Sequence, residues 1–211
     1  MLNNGTIDGF IVAVAEETQA LKEHQHFKDI INSGTPIVMF DRVAETVNCD
    51  KVIVDDFESS FEATQHLLKL GSKNIALVST IDNLSVGKLR VGGFKKAMEA
   101  SNLSLNNQLI VIENDIELFD NKLIELFNTK KVDAVFALDE HASTMAMKFA
   151  LKKGIKIPEE LNIIGFADGV WSRRLTPSLS TVSQHAPEIG AKAAELLIHK
   201  LNSKDEFYQP K

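Results

Sequence analysis

The segment from Val132 to Pro177 constrains the fold of this chain more than any other. Up to Leu138 it is apolar at almost every position, which is typical of a parallel strand covered on both faces. Apolar residues then recur at helical spacing, at Ala142, Met145, Ala146, Phe149 and Ala150. A turn leads from this helix into a second apolar run. The segment therefore predicts a strand–helix–strand unit of a parallel sheet, with the polar cluster Asp139–His141 at the carboxyl edge, where open α/β sheets bind ligands.

The rest of the chain repeats this alternation. Strand-like runs lie at Gly9–Ala15, Pro36–Phe40, Val52–Val54, Asn74–Ser79, Leu109–Ile112, Val132–Leu138 and Leu161–Phe166. Helical patterns separate most of them; one is expected to end at Gly71, and the last to open at Pro187. Alternating strands and helices predict an α/β fold with doubly wound parallel sheets.

Composition narrows the classes of function. The 29 acidic and 23 basic residues give a net charge of -6, and such a surface repels the phosphates of nucleic acid. No apolar run reaches the roughly 18 residues that a membrane span needs. The single cysteine, Cys49, cannot form an internal disulfide, and the N-terminus shows no signal-peptide pattern, so a cytoplasmic setting is expected.

Motifs of nucleotide, metal or nucleophilic chemistry are absent from the sequence. Gly87-Lys88 resembles the end of a phosphate-binding loop, but Asp82 stands where that loop needs its first glycine. His24 and His26 lie in a charged segment and are interpreted as a solvated face, not a zinc site. Neither a G-x-S-x-G nor a G-x-G-x-x-G motif occurs. The sequence therefore predicts no enzymatic activity, no catalytic residue, no cofactor and no metal.

Short blocks along the chain resemble one family, in that family's order. They are Asp8–Val12, Gly34–Arg42, Val52–Glu58, Ala63–Leu67 running into Leu70–Ala76, the motif Arg90-x-x-Gly93-Phe94, and Leu175–Val182. Together with the segment Val132–Pro177, these blocks are similar to the effector-binding core of the LacI/GalR family of bacterial transcription regulators. That family has the type I periplasmic-binding-protein fold.

The resemblance implies two similar α/β lobes with a ligand cleft between them. One lobe is expected from residues 1–54 plus 183–211 and the other from residues 55–182. The family's helix-turn-helix domain, its first strand-helix-strand-helix segment and its last crossover strand have no counterpart here. The chain is therefore expected to be truncated at both ends.

The resemblance also implies a function. The chain would bind a small-molecule effector, a sugar or sugar derivative, and allosterically control operator DNA binding by the absent helix-turn-helix domain. It would act in the cytoplasm as a homodimer, without a membrane partner. The alternative is a periplasmic sugar-binding protein of a transport system, which shares the fold and would need a signal peptide.

Arg90 and Asp139 are the first candidates for ligand binding. The family position of Arg90 commonly faces the ligand, and a guanidinium fork suits hydroxyls and carboxylates; the alternative is a surface arginine. Asp139 stands where the family carries an acid that accepts hydrogen bonds from the effector; the alternative is a helix N-cap, and both roles are compatible. The two side chains are expected to meet in a solvent-filled cleft, hold each other by opposite charge, and contribute little to fold stability.

Asp41, Arg42 and Trp171 are further ligand-binding candidates with equally strong alternatives. Asp41 and Arg42 would either reach across the cleft or pair with each other and with solvent. The indole of Trp171 would stack on the apolar face of a sugar, or else pack within the fold or at a dimer contact. Ile116 stands where many family members place a phenylalanine beside the ligand, which disfavours an aromatic or purine effector.

Overall fold

The computed structural model describes residues 7–81 and 83–203, apart from the side chains of Val170 and Trp171. The chain divides into two compact units, one of residues 1–54 and 185–211 and the other of residues 55–184. It therefore passes from one unit to the other at 54/55 and again at 184/185.

The first unit is built on a three-stranded parallel sheet of order β1-β2-β3. Its elements are β1 (Phe10–Val12), α1 (Glu16–Leu21), α2 (Gln25–Asn32), β2 (Ile37–Phe40), β3 (Asp50–Val52) and α8 (Ala186–Asn202). Side chains of β2 alternate between two cores. Ile37 and Met39 pack with Phe27 of α2, whereas Val38 packs with Leu196 of α8.

The second unit is built on a five-stranded parallel sheet of order β5-β4-β6-β7-β8. Its elements are α3 (Asp56–Lys69), β4 (Ile75–Ser79), α4 (Ser85–Ala100), a 3-10 turn (Asn107–Leu109), β5 (Ile110–Ile112), α5 (Ile116–Thr129), β6 (Ala134–Ala137), α6 (Glu140–Lys152), β7 (Asn162–Phe166), α7 (Val170–Arg174) and β8 (Ser180–Val182).

The central strands of this sheet are buried on both faces, as their apolar runs predict. Along β6, Val135 and Ala137 join the core beneath α5 and α6, while Ala134 and Phe136 join the core beneath α3 and α4. All four are 0% exposed. The predicted α/β fold with parallel sheets is confirmed.

Some boundaries differ from the sequence prediction. The run predicted at Val52–Val54 is the strand Asp50–Val52, because the ladder with β2 begins at a buried aspartate. The strand β8 has no apolar run, since it is a largely exposed edge strand. Helices α1, α2 and α7 were also not predicted. The expected helix ends are present: Gly71 has φ +93° just after α3, and Pro187 lies in the first turn of α8.

Candidate functional site

Polar groups of the second unit converge where the sheet reverses its winding direction. After β4 the chain forms β5 on one side of that strand and β6 on the other. The carboxyl ends of β4 and β6 therefore flank a topological switch point, which is where open α/β sheets bind ligands. Thr80 follows β4 and Asp139 follows β6. The backbone N–H of Thr80 donates to Oδ2 of Asp139 at 2.7 Å, so the two strand ends are joined.

Arg90 of α4 lies at this edge and is only 2% exposed. Its Nε donates to Oδ1 of Asp56 at 2.7 Å, Nη1 to the carbonyl of Leu138 at 2.7 Å, and Nη2 to Oε1 of Gln184 at 3.1 Å. The guanidinium carbon lies 3.9 Å from the centroid of the Phe166 ring. The Arg90 side chain therefore contacts the first residue of α3, the last residue of β7, and residues that follow β6 and β8.

The motif Arg90-x-x-Gly93-Phe94 has a packing explanation. Gly93 faces α3, and a Cβ atom there would collide with the carbonyl oxygen of Phe57 and the side chain of Ser60. The Ser60 hydroxyl donates to the carbonyl of Arg90, and Phe94 is buried in the core. The glycine thus lets α4 lie close against α3, which places Arg90 over the strand ends.

Asp139 is the N-cap of α6. Its Oδ1 accepts from the backbone N–H of Ala142 at 2.8 Å, while Oδ2 accepts from Thr80. Both carboxylate oxygens are therefore engaged with backbone, and the residue is 9% exposed. The capping interpretation is confirmed; the role of Asp139 in ligand binding stays a prediction.

The expectation of a solvated Arg90–Asp139 pair is wrong in two respects. The guanidinium pairs with Asp56, the first residue of α3 at the same edge, and not with Asp139, whose two oxygens accept the backbone N–H groups of Thr80 and Ala142. Both residues are also buried and not bathed in solvent. They do meet at one edge, since the carbonyl that Arg90 binds belongs to Leu138, the neighbour of Asp139.

The structure does not test the predicted ligand role of Asp41, Arg42 and Trp171. In the first unit, Arg42 Nε lies 3.8 Å from Asp41 Oδ2, and both side chains are about one-third exposed, at 31% and 38%. This geometry fits the alternative in which the two residues pair with each other; their ligand role stays a prediction. Trp171 belongs to α7 by its backbone, and its side chain lies outside the described residues.

Two residues of the site were missed by the sequence analysis. Asp56 carried a signal, as an acid in the first turn of a helix, but this signal is ordinarily explained by the helix dipole. Gln184 carried none, because its contact with Arg90 spans 94 residues and depends on the position of β8. Within the described residues, no cluster of three or more His, Cys, Asp or Glu side chains is arranged to hold a metal.

Comparisons with known proteins agree with this architecture. The model of the periplasmic binding protein-like domain matches residues 64–210. The chain belongs to this family. It has the fold of a LacI-type effector-binding core, so the resemblance predicted from the sequence is confirmed.

Two curated relatives of the chain are bacterial regulators. The HTH-type transcriptional regulator DegA of Bacillus subtilis is 30% identical over 193 residues, which are 91% of this chain and 57% of that protein. The HTH-type transcriptional repressor PurR of Haemophilus influenzae is 31% identical over 216 residues, 99% of this chain and 61% of that protein. The chain thus spans less than two-thirds of either relative.

Two solved structures share the fold. A regulatory protein of the LacI family from Chloroflexus aggregans has a TM-score of 0.85 at 24% identity, covering 99% of this chain and 74% of that one. The transcriptional regulator CelR in complex with cellobiose has a TM-score of 0.80 at 20% identity, covering 98% and 62%. No helix among the described residues is both long and apolar enough to cross a membrane.

Proposed function

We propose that this chain senses a small polyhydroxylated molecule, a sugar or sugar derivative, at the carboxyl edge of its second unit. The observation that carries the proposal is the guanidinium of Arg90, held beside the switch point. Arginine has five N–H donors, and three of them bond to described residues. Two N–H groups are left, within the described part of the chain, for oxygen acceptors of a ligand. A structural neighbour in complex with cellobiose supports the sugar class.

Asp139 is proposed as the complementary acceptor. A carboxylate offers about four lone-pair positions, and two of them hold the N–H groups of Thr80 and Ala142. The remaining positions are available to ligand hydroxyls without loss of the helix cap. Asp41, Arg42 and Trp171 are kept as proposed ligand contacts on the strength of the resemblance alone.

The proposed mechanism is allosteric and requires no chemical step. The units would correspond to the lobes expected at 1–54 plus 183–211 and 55–182, and the effector would favour one arrangement of them. A ligand shifts such an equilibrium only by the difference between its affinities for the two states. A helix-turn-helix domain outside this chain would carry the response to operator DNA, in the cytoplasm. Transport is not favoured, because the curated relatives are named as transcription regulators.

A thermal-shift screen of this chain against sugars, nucleosides and amino acids tests the proposal. A ligand present at 100 times its Kd adds about 2.7 kcal/mol to stability, which raises Tm by about 5–10 °C for a chain of this size. We expect a sugar to produce the shift in the wild type and in the control Lys96→Ala, and a smaller shift in Asp139→Asn. A response to nucleosides or amino acids alone would overturn the sugar class, and no response would contradict ligand sensing.

We also propose that the longer protein, which would join this chain to a helix-turn-helix domain, is a homodimer formed by side-by-side packing of the lobes. The proposal follows the resemblance to the family. Sedimentation equilibrium of the longer protein at micromolar concentration is expected to give the dimer mass, and a monomer mass would contradict it.

A further inference from the structure

Arg90 binds both points at which the chain enters and leaves the second unit. The unit begins at Asp55 and ends at Gln184, and the guanidinium bonds Asp56 at one end and Gln184 at the other. We propose that Arg90 is a positioning residue that clamps the two crossings, with a permanent bond at the first and a releasable bond at the second. The proposal deepens the sensing function but does not depend on the identity of a ligand.

The bond at the first crossing has the properties of a fixed contact. The Arg90 and Asp56 side chains are 3% and 4% exposed and lie 2.7 Å apart. Breaking a buried ion pair leaves an uncompensated charge, which is far more costly than losing a neutral hydrogen bond. The adjacent Asp55 accepts from the N–H of Glu58 and caps α3, so the chain is also anchored locally at this point.

The bond at the second crossing is weaker and replaceable. Gln184 is half-buried, its neutral Oε1 lies 3.1 Å from Nη2, and its backbone N–H donates to the exposed Asp168 at 2.8 Å. A neutral amide oxygen can be exchanged for another oxygen acceptor without stranding a charge. The Leu138 carbonyl cannot be displaced in this way, because it belongs to the backbone beside the buried β6.

The clamp links ligand recognition to the crossing at 184/185. Arg90 is 2% exposed, so a ligand oxygen can reach the unused N–H groups of the guanidinium only when the Gln184 side chain moves aside. Occupation of the site would therefore release the second crossing while the first stays bound. A bound ligand hydroxyl would in this way increase the backbone mobility of the chain at 184/185.

Hydrogen exchange measured by mass spectrometry on the 211-residue chain without ligand tests the clamp. Gln184→Met keeps the length of the side chain and replaces the amide oxygen by a thioether sulfur, a much weaker acceptor; Gln184→Glu keeps an oxygen acceptor and serves as the matched control. We expect Gln184→Met to speed exchange of amides 180–184 at least about tenfold, with amides 55–60 unchanged. Gln184→Glu is expected to leave both segments as slow as in the wild type.

Arg90→Met is expected to speed exchange in both segments while amides of β4 stay protected. Acceleration of only one segment by Arg90→Met would overturn the joint clamp. If this variant does not fold, the two Gln184 variants test the clamp. Equal exchange rates of amides 180–184 in Gln184→Met and Gln184→Glu would show that the bond from Arg90 to the Gln184 oxygen does not restrain the second crossing. Because no ligand is present, these outcomes are independent of the screen that tests sensing.

Discussion

The ion pair of Arg90 and Asp56 shows how burial changes the energetic role of a charged residue. Exposed pairs contribute little, but removing one partner of a buried pair strands the other charge in a poorly solvating environment. Here both side chains are at most 4% exposed, and the Phe166 ring lies against the guanidinium. The expectation that Arg90 is dispensable for stability does not hold for such a site.

Replacing Arg90 by alanine is expected to lower the free energy of unfolding by about 3–5 kcal/mol, because Asp56 loses its buried counter-ion. Urea denaturation of the 211-residue chain measures this. The control Lys96→Ala, which removes an exposed pair with Glu99, should change stability by no more than about 1 kcal/mol. Adding Asp56→Asn to Arg90→Ala should recover part of the loss. Equal stability of Arg90→Ala and Lys96→Ala would contradict the argument.

Asp139 accepts hydrogen bonds through both carboxylate oxygens, so replacing it by asparagine is expected to lower the stability of the fold. Asp139→Asn retains one acceptor and turns an NH2 group toward a second backbone N–H; we expect a cost of about 1–3 kcal/mol. Asp115 caps α5 by accepting a single hydrogen bond, from the backbone N–H of Leu118. Asp115→Asn should therefore lower the free energy of unfolding by no more than about 0.5 kcal/mol, since asparagine caps helices as well as aspartate. Urea denaturation of both variants checks this. Equal effects would mean that the bond from Thr80 contributes nothing.

At the scale of elements, the contact of α3 with α4 decides where the site can form. Gly93 brings the two helices together, and the buried hydroxyl of Ser60 bonds across them to α4. In contrast, Gly190 of α8 is exposed, and a Cβ atom there would meet no described atom within 4 Å apart from its chain neighbours and the backbone of its own helix. The same residue type therefore has a packing role in one helix and none in the other.

Gly93→Ala is expected to destabilise the chain by about 1–3 kcal/mol, because the added methyl group overpacks the contact between the helices. Gly190→Ala is expected to stabilise it by about 0.5–1 kcal/mol through helix propensity alone. Thermal denaturation followed by circular dichroism compares the two. A stabilising Gly93→Ala would show that α3 and α4 separate without penalty.

At the scale of the whole molecule, the two units have separate cores. The core of the first unit contains Phe27 and the single cysteine, Cys49, which is 1% exposed. The core of the second unit contains Leu123, which is fully buried. Burial raises the pKa of the Cys49 thiol, so less of the reactive thiolate is present at a given pH. Thiol labelling therefore reports on opening of the first unit.

We expect Cys49 to react with a thiol reagent at pH 8 at least about a hundredfold more slowly than in the unfolded chain, and faster as the pH rises toward the raised pKa. Phe27→Ala, which cuts into the same core, should accelerate labelling strongly. Leu123→Ala removes a comparable apolar side chain from the other core and should accelerate it much less. Equal acceleration by the two variants would mean that the units open together.

The sequence determined the features that depend on neighbours along the chain. The apolar run of β6, the glycine after α3, the proline in the first turn of α8 and the cap of α6 at Asp139 are each predicted from a few adjacent residues. The resemblance of the ordered blocks to one family extended these local patterns to the whole fold, because the fold of that family specifies which strands become neighbours.

Only the tertiary structure decided the partners of Arg90. Asp56 lies 34 residues away and Gln184 94 residues away, and the exposed strand that carries Gln184 to the edge has no hydrophobic pattern of its own. The motif around Arg90 indicates a helix and a ligand contact but not which acid balances its charge. That choice follows from the order β5-β4-β6-β7-β8, which brings distant strand ends to one edge, and from burial, which requires each charge there to be satisfied by whichever group is within reach.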